Sequence, residues 1–280
     1  MEQRMDSSTK SIQHPVETGC SRLYMVIHNF HLFLVFTFGL IMNIALIGYG
    51  KMGHVIEQIA LKRGHNIVLC ISSANKYELD AAHLKQVDVA IEFTNPAAAK
   101  DNVIQCLSAG VSTVCGTTGW NEQLPKAQAA AGKNNVAFLH ASNFSIGVNI
   151  FFEVNKLLAT LMKRHTEYNP TIEETHHTQK KDAPSGTAIT LAEQILQNLG
   201  AKKKWVLNDT TIEDALPIIA HRVENVPGTH KITYSSSIDD IDIIHTAHNR
   251  DGFALGAVLA AEYIAGKQGI FTMKDVLGIK

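Results

Sequence analysis

The stretch from Glu173 to Ala188 contains the residue types that most directly indicate chemistry in this sequence. It reads EETHHTQKKDAPSGTA, so a predicted strand ends in His176 and His177 and a short basic loop containing Lys180 follows. Successive strand residues point to opposite faces, and therefore the two histidines do not easily share one metal ion. No cysteine lies nearby as a further ligand. The sequence favours a site without a metal.

The Pro-Ser-Gly-Thr segment that follows opens a predicted amphipathic helix, and its start is typical of an anion-binding site. The backbone amides of Gly186 and Thr187 would be free at the helix N-terminus, and the Thr187 hydroxyl and the Lys180 charge suit a carboxylate group. His176 beside that site could deliver a proton near neutral pH. The structural alternative is a pair of surface histidines with a solvated basic turn. The combination favours the catalytic interpretation.

A second motif lies between a predicted strand and a predicted helix. It has the form G-x-G-x-x-G and consists of Gly48, Tyr49, Gly50, Lys51, Met52 and Gly53. In this setting the first glycine permits a tight turn, the second lets the backbone approach a pyrophosphate, and the third allows close helix–strand packing. The helix N-terminus adds positive potential. We interpret the motif as a dinucleotide-binding turn, the alternative being a purely structural turn.

The acid that usually accompanies this motif is missing. A dinucleotide-binding fingerprint continues with Asp or Glu about 20 residues on, which binds the ribose 2′-hydroxyl. Here the second predicted strand ends in ISSANK, residues 71–76, and no carboxylate occurs between Glu57 and Glu78. An acid would repel a 2′-phosphate, so its absence predicts that both NADPH and NADH are used. Ser72 is the candidate ligand, and Lys76 is either an attractive charge or a solvated loop lysine.

These motifs must be positioned by a chain that, from Met42 onward, alternates short β-branched runs with longer amphipathic ones. The alternation predicts a Rossmann-type, doubly wound parallel sheet, an α/β fold. The predicted elements are strands 44–47, 67–71, 87–93, 111–115 and 136–139, with helices 52–62, 97–108 and 122–133.

The pattern changes after Asn143. It predicts helices 148–161, 187–199 and 252–266, with strands 171–176, 218–224, 231–236 and 239–245. Strands that follow one another without helices, joined in one case by a turn at Val226–Thr229, predict a mixed sheet and a second α+β domain. We therefore expect a dinucleotide-binding domain over 42–144 and a second domain over 145–250. Residues 251–280 would return to the first domain.

Residues 1–41 differ from the rest of the chain. Their opening is polar, and the apolar run Leu32–Ile41 has the length of a signal-peptide core but is too short to span a bilayer. No small-residue cleavage site follows the run, and the next residues already resemble the first strand of a domain. We expect an N-terminal extension that is not part of the fold, and no membrane partner.

Composition narrows the function classes. The 280 residues include 25 Lys or Arg and 26 Asp or Glu, a net charge of −1 that argues against nucleic acid as a partner. With 45% hydrophobic residues the chain can bury a substantial core, which argues against wholesale disorder. Its four cysteines, Cys20, Cys70, Cys106 and Cys115, form no C-x-x-C pair, which favours a reducing, cytoplasmic setting.

Taken together, these residues resemble the dihydrodipicolinate reductase (4-hydroxy-tetrahydrodipicolinate reductase) family of lysine and diaminopimelate biosynthesis. The most specific segment is close to H-H-x-x-K-x-D-A-P-S-G-T-A, here His176 to Ala188. The supporting segments are Gly48–Gly53, Phe93–Thr94, Gly116–Gly119, Ala141–Ser145, Val226–Thr229 and Gly269–Leu277. The resemblance extends from Met42 to the C-terminus and leaves residues 1–41 unmatched.

The resemblance implies a role for each motif. His176 would be the proton donor and acceptor and Lys180 the second catalytic donor, while His177, Gly186 and Thr187 would hold a small dicarboxylate substrate. NADH or NADPH would supply the hydride, with no metal or flavin. Besides the Gly-rich turn, the cofactor would be lined by Thr94, Gly116, Thr117, Thr118, Ala141, Ser142, Asn143 and Phe144.

The resemblance also implies a homotetramer assembled through the second domain. Strands 231–236 and 239–245 would then need another sheet to cover their apolar face. Two alternatives remain open. A sugar or cyclitol dehydrogenase joins the same kinds of domain, although the Ser-Gly-Thr anion site argues against a hydroxyl-rich substrate. A nucleotide-sensing module could keep the fold without turnover, although intact His176 and Lys180 argue against it.

Overall fold

The computed structural model describes Ile27–His28, His31–Leu32 and residues 41–279. Met1–Ile41 and Met42–Lys280 form separate compact units. In the first unit, strands β1 (Ile27–His28) and β2 (His31–Leu32) pair antiparallel. The predicted extension over 1–41 and its apolar run otherwise lie outside the described residues. Within the described part, no helix is both long and apolar enough to cross a bilayer.

The second unit alternates strands and helices along its first half and again at its end. In chain order the elements are β3 (Asn43–Ile47), α1 (Lys51–Lys62), β4 (Asn66–Ile71), α2 (Ala81–Leu84), β5 (Val89–Glu92), α3 (Pro96–Ser108), β6 (Ser112–Cys115), α4 (Leu124–Asn134), β7 (Ala137–His140), α5 (Ile146–Met162), β8 (Asn169–His176), α6 (Gly186–Leu199), β9 (Lys204–Leu207), β10 (Ala215–Arg222), β11 (Gly228–Ser235), β12 (Asp240–Ala247), α7 (Asp251–Ile264), β13 (Gly269–Phe271) and α8 (Met273–Leu277).

The first sheet is parallel throughout and has the strand order β13-β7-β6-β5-β3-β4. Its four central strands are buried on both faces, and their successive side chains enter different cores. In β3, for example, Ile44 and Leu46 pack with α1 and α7, whereas Ala45 and Ile47 pack in a second core with Cys106 of α3. This sheet confirms the predicted doubly wound parallel architecture.

The second sheet is mixed, with the order β12-β11-β8-β10-β9. Strands β8, β10 and β9 run parallel, and β11 pairs antiparallel with both β8 and β12. The predicted mixed sheet is therefore confirmed. The segment Val226–Thr229 does not form a turn between neighbouring strands, because β8 lies between β10 and β11 and β11 already begins at Gly228.

The apolar side of this sheet is covered within the chain. Ile232 and Tyr234 of β11 pack in one core with residues of α5 and α6, such as Phe151 and Ile195. The opposite side of β11 is polar, and there Lys231 pairs with Asp242 of β12 at 3.0 Å. The prediction that another sheet must cover this apolar face is therefore wrong, because α5 and α6 already cover it.

Two short strands were not predicted. Strand β9 lies at the edge of the second sheet and has no fully buried residue, so its sequence lacks a clear alternation. Strand β13 has only three residues and pairs with β7 at the edge of the first sheet. Both are set by tertiary pairing rather than by a local pattern.

Candidate active site

The Gly-rich turn joins β3 to α1 as its spacing predicts. Gly48 has φ +101°, and a Cβ there would lie 2.1 Å from the Phe93 carbonyl oxygen, so only glycine fits. A Cβ on Gly53 would lie 2.5 Å from the Gly48 oxygen, because helix and turn pack closely. Gly50, by contrast, has open space where its side chain would be. Of the three glycines, Gly50, the residue before α1, is therefore the one beside which the described structure leaves open space.

A cavity of about 490 Å³ opens beside this turn. It is lined by residues from three strand ends, namely Gly48, Tyr49, Gly50, Ile71, Ser72, Ser73, Lys76, Phe93, Thr94, Asn95, Ala98 and Asn102. None of these described lining residues is an acid. The structure thus brings Ser72 and Lys76 together in the loop that follows β4. The Ser72 hydroxyl donates to Asn75 Oδ1 at 3.0 Å, which holds this loop in place.

The loops after β5 and β6 are tied together by a buried acid that the sequence analysis did not identify. Glu92 is fully buried, and its carboxylate accepts one hydrogen bond from the Thr94 hydroxyl and another, at 2.9 Å, from the Cys115 thiol. The Thr94 amide also donates to Thr117 Oγ1 at 2.8 Å. A Cβ on Gly116 would lie 2.2 Å from the Phe93 ring. Thr94, Gly116 and Thr117 are therefore held together at the carboxyl ends of β5 and β6, and we call this side of the first sheet the sheet edge.

The loop after β7 places its predicted residues in two environments. Ala141, Ser142 and Asn143 line a cavity of about 540 Å³ together with Thr118. The Asn143 side-chain amide donates to Thr187 Oγ1 at 3.3 Å and so links this loop to the first turn of α6. Phe144 is instead buried, with its ring 5.6 Å from that of Phe93, so its side chain supports the loop from the core.

The two predicted histidines point to different surroundings. His177 lines a cavity of about 680 Å³ that also contains Lys51 from the start of α1, as well as Asn249 and Arg250. His176 lies on the other side, with its ring centroid 5.1 Å from that of His230. This separation agrees with the expectation that adjacent strand residues face opposite ways.

The start of α6 has the features of an anion site. Ser185 is the N-cap, and its hydroxyl accepts from the Ala188 amide at 3.2 Å. That bond satisfies the third amide of the helix and leaves those of Gly186 and Thr187 without an intrahelical acceptor. Gly186 is exposed and Thr187 is partly exposed, so this end of the helix is accessible from outside the protein. The predicted carboxylate-binding role of these residues stays a prediction, with which the open end of α6 is consistent.

A buried charge cluster surrounds His176. Glu174, which is fully buried, accepts from the Ser185 amide at 3.0 Å, and Arg222 lies 3.3 Å from it. Despite the opposing effect of burial, the neighbouring His230 ring and the hydrogen bonds from Ser185 lower the pKa of Glu174 to about 2. The pKa of His176 is lowered to about 4, mainly because the ring is buried and because His230 lies beside it.

Lys180 lies in the loop between His177 and Ser185. Its amine contacts both oxygens of Asp182, at 2.8 and 2.9 Å, and its positive charge contributes to the lowered pKa of His176. Arg222 holds the same loop by donating to the Asp182 carbonyl at 2.6 Å. The structure thus brings His176, Lys180 and the start of α6 into one region, as the motif predicts.

Glu174, Arg222 and His230 were not identified from the sequence. Glu174 carried a signal, because it lies two residues before His176 in the same strand and must share its face. Neither Arg222 nor His230 had such a signal in the sequence. Only the sheet register places Arg222 opposite His176 and His230 opposite Glu174.

Glu174, His176 and His230 are also the described residues that could together offer ligand atoms to a metal ion. Their ligand atoms lie within 4.8 Å of one another. The Glu174 carboxylate is, however, already bonded to the Ser185 amide and paired with Arg222. The arrangement therefore suits a protein hydrogen-bond network better than a site for a cation.

Comparisons with known proteins agree with this geometry. Residues 42–144 match the family described as "Dihydrodipicolinate reductase, N-terminus", and residues 147–277 match "Dihydrodipicolinate reductase, C-terminus". The 4-hydroxy-tetrahydrodipicolinate reductase of Christiangramia forsetii is 52% identical over 237 residues, which cover 84% of this chain and 98% of that protein. The enzyme of the same name from Methanocaldococcus jannaschii is 37% identical over 243 residues, which cover 84% of this chain and 81% of that protein.

Solved structures show the same fold. The dipicolinate-bound dihydrodipicolinate reductase from Paenisporosarcina sp. TG-14 superposes with a TM-score of 0.69 at 23% identity, covering 84% of this chain and 99% of that one. An amine dehydrogenase from Mycobacterium smegmatis superposes with a TM-score of 0.57 at 10% identity, covering 84% and 95%. These two matches concern architecture alone. From the two matched family regions and the 52% identical relative, the chain belongs to the dihydrodipicolinate reductase family.

Proposed function

We propose that this protein reduces 4-hydroxy-tetrahydrodipicolinate to tetrahydrodipicolinate with a nicotinamide cofactor, as a step of lysine and diaminopimelate biosynthesis. The observation that carries the proposal is the hydrogen bond from Asn143 to Thr187. It joins the edge of the parallel sheet, where a dinucleotide would lie, to the open amides at the start of α6. A carboxylate held at α6 would therefore lie next to the cofactor edge.

The residues at the sheet edge fit a dinucleotide. Gly50 leaves free space at the start of α1, and the adjacent cavity is lined by Ser72, Lys76 and Thr94. The other residues that we propose for the cofactor site are Gly48, Tyr49, Lys51, Met52, Gly53, Gly116, Thr117, Thr118, Ala141, Ser142 and Asn143, with Phe144 acting from the core. When bound, the cofactor supplies a hydride to the electron-poor carbon–nitrogen system of the substrate.

The chain's own residues bind the dicarboxylate and supply the proton. The amides of Gly186 and Thr187 and the Thr187 hydroxyl orient one carboxylate, while His177 borders the larger cavity. His176 or Lys180 gives one proton to the reduced ring. Starting from the 4-hydroxy compound, the reaction adds one hydride and one proton and releases one water. We propose that neither a metal nor a flavin takes part.

The lowered pKa of His176 is compatible with this role. In the free protein, burial and the positive charges of Lys180 and Arg222 favour the neutral ring. A bound dicarboxylate brings two negative charges into this region and raises the pKa of His176. Substrate binding would thus itself promote protonation of His176, with the proton later given to the product.

We propose that both NADPH and NADH are used, with NADPH equal or modestly preferred. The cavity lining beside Ser72 contains a lysine and no acid among the described residues. A 2′-phosphate would meet no repelling charge there, and Lys76 would contribute the ~0.2–1 kcal/mol of an exposed ion pair, reduced by salt.

We further propose the division into a cofactor-binding domain over 42–144, a substrate-binding and oligomerisation domain over 145–250, and a returning segment over 251–280. The pairing of β13 with β7 supports the last assignment. We expect a protein that starts at Met42 to be as active as the full chain. Loss of activity on this truncation would mean that residues 1–41 contribute to the folded enzyme.

We propose a homotetramer formed through the second domain, on the basis of the family. Because the uncovered face of β11 is polar, any contact there would be made by side chains such as Lys231 and Thr233. Light scattering at micromolar concentration should give four times the mass of one chain. A monomer of 30.7 kDa would refute the proposal.

Calorimetry tests the proposed binding of a dicarboxylate. Pyridine-2,6-dicarboxylate should bind in the presence of NADPH, and near pH 6 its binding should take up protons, because it raises the pKa of His176. Thr187→Val should weaken binding, whereas Thr190→Val, one turn later in α6, should not. Equal affinity of the two variants, or binding without proton uptake in two buffers of different ionisation heat, would contradict the proposal.

A further inference from the structure

The residues around His176 are placed by the register of the second sheet. Glu174 and His176 lie two residues apart in β8 and therefore share a face. The register sets Glu174 directly opposite His230 of β11, and His176 opposite Arg222 of β10. The groups facing His176 are thus Glu174 from its own strand, Arg222 and His230 from the two neighbouring strands, and Lys180 from the following loop.

The Glu174 side chain is a buried anion held from several sides. The Ser185 amide donates to both of its oxygens, at 3.1 and 3.0 Å, and Arg222 contacts Oε1 at 3.3 Å. Burying a carboxylate is costly without such partners, and these contacts keep it ionised. The remaining side of the carboxylate faces the imidazole rings of His176 and His230. Oε2 lies 3.6 Å from His176 Nδ1 and 3.7 Å from His230 Nε2.

The ring of His176 has fewer hydrogen-bond partners than the ring of His230. His230 Nε2 lies 3.1 Å from the Ser185 hydroxyl, so its ring is already held. The His176 side chain is only 10% exposed, and its Nδ1 has no hydrogen-bond partner among the described residues. Glu174 Oε2 is thus the acceptor within reach of Nδ1. On the other side of the ring, Nε2 faces Gly228, where no side chain is present.

We propose that Glu174 is the positioning residue for His176. This inference rests on the proposed function. A proton on Nδ1 directed at Glu174 fixes the ring and its tautomer, and leaves Nε2 to exchange a proton with the substrate. The carboxylate also stabilises the imidazolium that forms when a dicarboxylate binds. Because Glu174 also holds the Ser185 amide, it sets the position of His176 relative to the start of α6.

The wild-type protein gives the first test, which needs no substrate. In the ¹⁵N spectrum of histidine-labelled protein at pH 7, the His176 signals, assigned by their loss in His176→Asn, should show a neutral ring with its proton on Nδ1. A proton on Nε2 would overturn the proposal, whether or not the protein reduces the expected substrate.

The second test compares Glu174→Gln with Glu173→Gln. Glu173 is a matched control because it is adjacent in β8, faces the other side of the sheet, and has a half-exposed side chain 3.9 Å from His221. We expect Glu174→Gln to lower kcat by about 10- to 1000-fold with little change in the KM for NADPH. Its acidic kinetic pKa in the substrate complex should also fall, because the protonated ring loses its carboxylate. Glu173→Gln should behave like wild type.

A purely structural role for Glu174 predicts a different result. Glu174→Gln would then lose thermal stability, while the folded fraction would keep the wild-type pH profile and the wild-type His176 tautomer. That result would overturn the proposal. If Glu174→Gln does not fold, the tautomer of the wild-type protein decides. If the wild type lacks turnover with the dicarboxylate, the proposed function fails, and the tautomer still tests the role of Glu174.

Discussion

Replacing Gly228 with alanine should slow the reaction while leaving the protein folded. A Cβ at this position would lie 3.1 Å from His176 Nε2 and 3.2 Å from His176 Cδ2. Ordinary contacts between such atoms are about 3.5 Å, so the imidazole must move by a few tenths of an ångström. A misplacement of about 1 Å costs roughly 100-fold in rate, and a shift of this smaller size should lower kcat by about 3- to 10-fold. Overpacking should reduce the free energy of unfolding by about 1 kcal/mol.

The assay is steady-state oxidation of NADPH with saturating dicarboxylate substrate, together with urea unfolding. Gly132→Ala is the matched control, because the same methyl group added in α4 meets no atom within 4 Å and should leave kcat unchanged. In a helix interior that control should gain ~0.5–1 kcal/mol of stability. Wild-type kcat in folded Gly228→Ala would refute the argument. So would a loss that appears only as a higher KM for NADPH, since Nε2 of His176 would then not be the group that matters.

Three further predictions concern the site. His176→Ala and Lys180→Ala should each lower kcat by about 10²–10⁴-fold, whereas Lys181→Ala, at an exposed position, should leave kcat nearly unchanged. Equal effects of all three substitutions on kcat would contradict the assigned roles. Ser72→Asp should shift kcat/KM towards NADH by repelling the 2′-phosphate, and an unchanged cofactor ratio at two salt concentrations would show that Ser72 is not near the ribose. The pKa of His176 is about 4 in the folded protein and near 6.5 in the unfolded chain, so the unfolded chain binds more protons between these two pH values. The free energy of unfolding should therefore fall as the pH drops from about 6.5 to 4. His176→Asn should lose less stability over this range in urea titrations, and a loss equal to that of wild type would contradict the assignment.

The predictable part of the fold was the part with a local pattern. Strand β3, the Gly-rich turn and α1 follow directly from a buried run, three glycines at fixed spacing and an apolar helical stripe. The edge strands β9 and β13 were missed because a few part-buried residues at a sheet edge leave no periodic signal. The covering of β11 by α5 and α6 was misjudged for a related reason. Alternation shows that one face is apolar, but it does not show which element packs against that face.

The same distinction applies to the site. His176, Lys180, Gly186 and Thr187 lie within one continuous segment, so a single motif could place them together. His230 and Arg222 reach His176 only through the pairing of β8 with β11 and β10, and no sequence spacing encodes that register. Glu92, which ties Thr94 to Cys115, had no visible signal either, because a lone acid at the end of a buried strand resembles a surface residue in sequence.

The most direct measurement is turnover of the purified full-length chain with the cyclic dicarboxylate generated in place. 4-Hydroxy-tetrahydrodipicolinate formed by a coupled aldol condensation of pyruvate and aspartate semialdehyde should support steady oxidation of NADPH and of NADH. Oxidation should stop when the condensing enzyme is left out, and should be strongly reduced in His176→Ala. No oxidation with either cofactor, or equal NADPH oxidation with an inosose, the ketone that a cyclitol dehydrogenase would reduce, would contradict the proposed function.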